Sequence, residues 1–110
     1  MKQEMVELCH ISGLDEGDAK EFSINDDYQI FVIKKHGQFY GYYNRCPHAG
    51  WPLNLNPGAF LDLDKKFIQC ANHMAVFDIS SGSCVAGPCV GASLEKITLT
   101  LANDIIWFQP

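Results

Sequence analysis

The chain has little positive charge: eight lysines and arginines stand against thirteen aspartates and glutamates, for a net charge of -5. A phosphate backbone or an anionic membrane would be repelled, so nucleic-acid and membrane-surface functions are set aside and a partner with a basic docking face fits better. Long apolar runs are also missing. The stretch Met1-Lys2-Gln3-Glu4-Met5-Val6-Glu7 contains none of the length that a signal peptide or a membrane span needs, and the expectation is a cytoplasmic protein. Helical spacing with a cap and a stop is absent, and Asp15 to Lys20 has room for one turn at most. There is no internal repeat, low-complexity tract or linker. Neither a nucleotide-binding glycine fingerprint nor the facial triad of a mononuclear iron site occurs, which excludes a complete oxygenase.

What is present belongs to one folded unit. With 110 residues, 47% of them hydrophobic, 12% aromatic and 19% charged, the chain suits a single domain over 1–110 and not a disordered segment. Strand signals dominate. Tyr28 to Lys35 and Gln38 to Tyr43 are β-prone runs separated by His36-Gly37, a dipeptide suited to a tight hairpin. Ile97, Leu99 and Leu101 alternate with Thr98 and Thr100, the period of a half-buried strand, and Asn103-Asp104 turns the chain into Ile105-Ile106-Trp107-Phe108. Shorter candidates are Glu4 to Cys9, Glu21 to Ile24, Phe67 to Cys70 and Ala75 to Ile79. The class is all-β. Between Cys46 and Ala59, Pro47, Gly50, Pro52, Pro57 and Gly58 mark a long loop, and such loops usually carry function.

Two cysteine-histidine pairs stand at the ends of β-prone segments, Cys46-Pro47-His48 and Cys70-Ala71-Asn72-His73, with twenty-one residues between His48 and Cys70. Five cysteines in a cytosolic setting point to metal ligation or buried packing more than to a disulfide frame. Two thiolates and two imidazoles suit iron and zinc alike, so ligand type alone does not choose the metal. Zinc modules usually draw their first ligands from a CxxC or CxxxxC knuckle and their histidines from a helix, and neither occurs here. One Cys and one His from each loop suits instead a cluster of two inequivalent irons, with both thiolates on one and both imidazoles on the other. Cys84 and Cys89 have the first spacing of a plant-type ferredoxin, but Ala92 stands where its next cysteine would be.

Cys46-Pro47-His48-Ala49-Gly50 followed by Cys70-Ala71-Asn72-His73 resembles the two boxes of the soluble Rieske-type 2Fe-2S ferredoxins, as found with bacterial dioxygenases. Phe77-Asp78, Gly82, Gly87-Pro88 and Leu94 fall where that family has the strand after the second box, its turn and a proline loop over the cluster. The resemblance implies antiparallel sheets in a small sandwich or barrel with a two-loop cluster-binding subdomain. Its ligand loops would lie at about 44–58 and 69–77 and its proline loop at about 82–90. It also implies one Rieske 2Fe-2S cluster on Cys46, His48, Cys70 and His73. The respiratory branch of the family adds a loop-linking disulfide and a serine two residues after the second histidine. Here those places hold Trp51, Asn72 and Ala75. Without the serine, the potential is expected near the lower end for Rieske centres, roughly -150 mV.

The function so implied is that of a one-electron carrier from a reductase to a terminal oxygenase or another oxidoreductase, with no organic substrate and no bond chemistry of its own. Two alternatives use the same residues: a small zinc-binding interaction module, and a redox-sensing subunit with Cys84 and Cys89 as a switch. Pro47, Trp51, Leu53, Met74 and Pro88 are candidates for an apolar collar around the cluster. The remaining features have plainer readings. His10 and His36 are expected in solvent, Cys9 as a small buried hydrophobe, Cys84 and Cys89 as packing residues, and Trp107 in the core. Asp62, Asp64, Lys65 and Lys66 are expected to form a solvated turn.

Overall fold

A computed structural model describes residues 5–24, 29–47, 53, 60–62, 64–70, 75–88 and 90–110. Among them are nine strands in three antiparallel sheets, with one 3-10 turn at Ile11–Gly13 as the helical content. The strands are β1 (Val6–His10), β2 (Ala19–Ser23), β3 (Gln29–Lys35), β4 (Gln38–Tyr43), β5 (Phe67–Gln69), β6 (Val76–Asp78), β7 (Cys84–Ala86), β8 (Thr98–Ala102) and β9 (Ile105–Gln109). The sheets run in the orders β1-β9-β8, β2-β3-β4 and β5-β6-β7. The all-β expectation holds.

The two longest hairpins form where turn chemistry dictates. His36 and Gly37 have φ of 54° and 74°, and Asn103 and Asp104 have φ of 55° and 63°. Both pairs are thus two-residue left-handed turns, whose twist matches that of the strands they join. They set the registers Lys35 to Gln38 and Ala102 to Ile105. Glu16 braces the first turn, its carboxylate accepting from the His36 and Gly37 N–H groups at 2.6 and 3.1 Å.

β3 is the centre of the molecule. Ile30, Phe31, Val32 and Ile33 are all fully buried, because both faces of this strand are covered. Phe31 and Ile33 enter the larger core with Tyr42, Leu53, Phe60, Ile68, Phe77 and Leu94, whereas Val32 packs with Leu14 and Ile106. The segment before β8 is laid against β4 by bonds from Tyr43 N–H to the Glu95 carbonyl and from Ile97 N–H to the Gly41 carbonyl, both 3.0 Å. Position 41 must be glycine for that approach, since a Cβ there would lie 2.6 Å from Ile97 Cγ1.

Asp15 to Lys20 holds one turn, closed by Asp18 N–H to the Asp15 carbonyl at 2.9 Å, and it does not continue as a helix because Gly17 takes φ +84° and the chain enters β2 at Ala19. Three expectations change. Trp107 is only half-buried: the alternation of β9 sends Ile106 and Phe108 inward and Trp107 to the other face, where its indole donates to the Ala102 carbonyl at 3.3 Å. In β8, Leu101 is 56% exposed, for it lies on an edge strand beyond the reach of the core. Cys9 is half-buried, at the bulge in the β1–β9 ladder. His10 and His36 are exposed, as expected.

Candidate metal centre

The third sheet and the residues just after β4 carry the two buried cysteines of the candidate site. β4 stops at Tyr43 and Cys46 follows three positions later. Cys70 directly follows β5. Both thiols are fully buried, are not in disulfides, and belong to one apolar cluster with Leu53, Phe60, Ala75 and Phe77. Soft thiolates in a dry apolar setting are donors suited to an iron-sulfur cluster, so the described residues fit that group. His48 and His73, like Cys89, Trp51 and Met74, lie outside the described residues. Of the expected collar, Leu53 is fully buried while Pro47 and Pro88 are exposed.

Among the described residues, main-chain and side-chain bonds pin the ends of the two cysteine segments. Cys70 N–H donates to the Ala75 carbonyl at 2.8 Å, so main chain closes residues 70–75, and Gln69 N–H donates to the Phe60 carbonyl at 2.8 Å. After β4, Asn44 N–H donates to the Gln29 carbonyl at 2.9 Å, and the Asn44 side-chain oxygen accepts from Leu53 N–H at 2.8 Å. A buried N–H deprived of such an acceptor costs about 1–3 kcal/mol. The sequence reading missed Asn44. An asparagine at the end of a β run and ahead of a proline-bearing loop is the available signal, since its side chain often accepts from nearby backbone.

β7, also missed, brings the 82–94 loop to the third sheet. Its base is closed by Cys84 N–H to the Ala92 carbonyl at 3.0 Å and Leu94 N–H to the Gly82 carbonyl at 2.8 Å. Gly87 has φ +99°, and a Cβ there would come within 2.8 Å of Ala75 Cα. The loop therefore lies directly against the residue that ends the second cysteine segment. Cys84 is a buried thiol donating to the Ala86 carbonyl at 3.2 Å, in keeping with packing. Tyr42 lies beneath the loop, its hydroxyl donating to the Ile79 carbonyl. Burial, with Asp78 nearby, holds that hydroxyl above the usual phenol range, so it stays a donor. Asp78 accepts from the Ser80 and Ser81 hydroxyls at 2.8 and 2.7 Å and from Ser81 N–H at 3.0 Å, which hold its carboxyl below the usual range.

Solved structures share this architecture. The ferredoxin of carbazole 1,9a-dioxygenase from Nocardioides aromaticivorans IC177 superposes with a TM-score of 0.77 at 22% identity, over 98% of this chain and 99% of that one. A chain from a complex of reduced oxygenase and oxidised ferredoxin in carbazole 1,9a-dioxygenase gives 0.78 at 19% identity, over 96% and 92%. At these identities the likeness establishes the fold alone, that of a small all-β domain. The sequence profile of the Rieske [2Fe-2S] domain matches residues 4–101, and the chain belongs to that family. Its cofactor is one Rieske 2Fe-2S cluster. Among curated relatives, Apoptosis-inducing factor 3 of Homo sapiens is 27% identical over 102 residues, covering 93% of this chain. The chain spans 16% of that relative's length.

Proposed function

We propose that Cys46, His48, Cys70 and His73 hold the cluster, and that the chain carries single electrons from a reductase to a terminal oxygenase or another oxidoreductase in the cytoplasm. In this reading residues 1–110 are one domain, with ligand loops at about 44–58 and 69–77 and a covering loop at about 82–90. The chain performs no bond chemistry itself. The observation that carries the reading is the burial of Cys46 and Cys70 in one apolar cluster, each leaving a strand and each followed in sequence by a histidine. When bound, the cluster accepts and releases one electron. Two thiolates leave its oxidised core neutral where four would make it doubly negative, so adding an electron costs less and the potential is higher.

The residues around the site supply the rest. Leu53, Phe60 and Phe77 exclude water from the thiolates and lower the local dielectric. The histidines, bound through one ring nitrogen, would offer the other to a partner. An oxygenase partner is supported by the ferredoxin relatives, which belong with carbazole 1,9a-dioxygenase. No described helix is long and apolar enough to cross a membrane.

Electron paramagnetic resonance of the dithionite-reduced protein tests the ligand set. Mixed Cys/His ligation is expected to give a lower average g than four-cysteine ligation, and Cys46→Ser or His73→Ala should abolish the normal signal and most bound iron. Colourless protein carrying one zinc, or either variant with unchanged iron and spectrum, would overturn the proposal.

A further inference from the structure

We infer that Asn44 is a positioning residue for the first ligand loop: its side-chain oxygen, by accepting the Leu53 N–H, holds closed the segment that carries Cys46 and His48. This rests on the ligand assignment above and extends it to a residue that touches no iron.

Among the described residues, a main-chain bond spans the second ligand loop and a side-chain bond spans the first. The second is spanned by main chain, Cys70 N–H to the Ala75 carbonyl, a bond that any residue but proline at position 70 can make. The first is closed, nine positions apart, by a side chain, Asn44 Oδ1 to Leu53 N–H at 2.8 Å. Both ends of that bond are inside the protein, Asn44 at 8% exposure and Leu53 at none, so water does not readily replace a lost partner. Asn44 is itself fixed, since its own N–H is bonded to the Gln29 carbonyl on the central strand at 2.9 Å. Leu53 is anchored by its side chain in the core that also holds Cys46 and Cys70. The bond thus ties both ends of the ligand segment to the rigid β3–β4 hairpin. An outer-shell group of this kind acts on the metal by fixing how its ligands are presented, and its loss typically weakens a metal site about 10- to 100-fold.

The test compares three variants of the whole chain with the wild type, reading iron release to a chelator and the reduced-state paramagnetic spectrum. Asn44→Ala should release iron about 10- to 100-fold faster and broaden or shift the g values. Asn44→Asp keeps an acceptor oxygen in place and should restore retention to within a few-fold of wild type. Tyr42→Phe removes a different buried hydrogen bond, to Ile79, and should destabilise the fold while leaving the g values unchanged. Wild-type iron release and spectrum in Asn44→Ala would overturn the inference. So would equal loss of the cluster in Asn44→Ala and Asn44→Asp, or the same spectral change in Tyr42→Phe. If Asn44→Ala does not fold, the Asn44→Asp and Tyr42→Phe arms still decide. A wild-type protein with zinc and no iron would instead sink the ligand assignment, whereas a normal wild-type spectrum unmoved by Asn44→Ala would sink this inference alone.

Discussion

The two halves of this molecule are held together by different means. In the β2-β3-β4 and β1-β9-β8 sheets the strands have five to seven residues, two-residue turns join β3 to β4 and β8 to β9, and Ile30, Val32, Ile106 and Phe108 are fully buried. In the β5-β6-β7 sheet each strand has three residues, too short for much ladder bonding, and the buried positions include Cys46, Cys70 and Cys84. Three-residue strands are at the short end of the usual range, where five or six residues are commonest. The first half is built like an ordinary small β domain. The second shares its core with Phe31 and Ile33 of β3, and under the proposed ligand assignment it leans also on what its cysteines hold.

The largest expected effect comes from removing the metal. Stripping iron with a chelator under reducing conditions should speed amide exchange in Phe67–Gln69 and Val76–Asp78 by roughly a hundredfold or more, the protection a ligand gives at about 100 times its Kd. β3 and β4 should stay protected. Equal loss in both regions, followed by hydrogen-exchange mass spectrometry, would erase the contrast.

A smaller effect tests the shared core. Phe31 of β3 stacks on Phe60 with ring centroids 4.3 Å apart and planes at 10°. Phe31→Ala should cost about 3–5 kcal/mol in denaturant unfolding. In a double-mutant cycle with Phe60→Ala, a coupling of about 0.5–1.5 kcal/mol would measure how firmly one half supports the other.

The smallest effect concerns pH. Asp78 ties the β6–β7 turn, and its carboxyl titrates below the ordinary range because the Ser81 and Ser80 hydroxyls donate to it. Below about pH 4 the unfolded chain then holds more protons than the native one, so stability rises with pH through that window and is lost as pH falls through the native value. Asp78 is partly exposed, so Asp78→Asn should flatten the acid limb by only a few tenths of a kcal/mol. Acid titration of the unfolding midpoint checks it. Glu16 performs the same service for the β3–β4 turn through the His36 and Gly37 N–H groups, and its acid limb should survive in Asp78→Asn.

How much of this could be read beforehand follows the same division. β3, β4, β8 and β9 were legible because β-prone runs, alternating in the case of β8, and the turn residues between them depend on neighbours a few positions away. β7 was not, since Cys84-Val85-Ala86 is a strand only by pairing with β6. The inward turn of Phe108 and the outward turn of Trp107 were likewise decided by the pairing of β9 between β1 and β8, as was the exposure of Leu101.

At the site, residue type and spacing picked out the candidate donors, two cysteines and two histidines paired in two boxes, and the resemblance those boxes carry pointed to iron where ligand type alone left zinc open. What the linear order could not hold is the support. That Cys46 and Cys70 share one dry core, that Gly87 presses on Ala75, and that Asn44 reaches Leu53 are contacts between segments distant along the chain. They exist only once burial brings those segments together and each hidden N–H must find an acceptor.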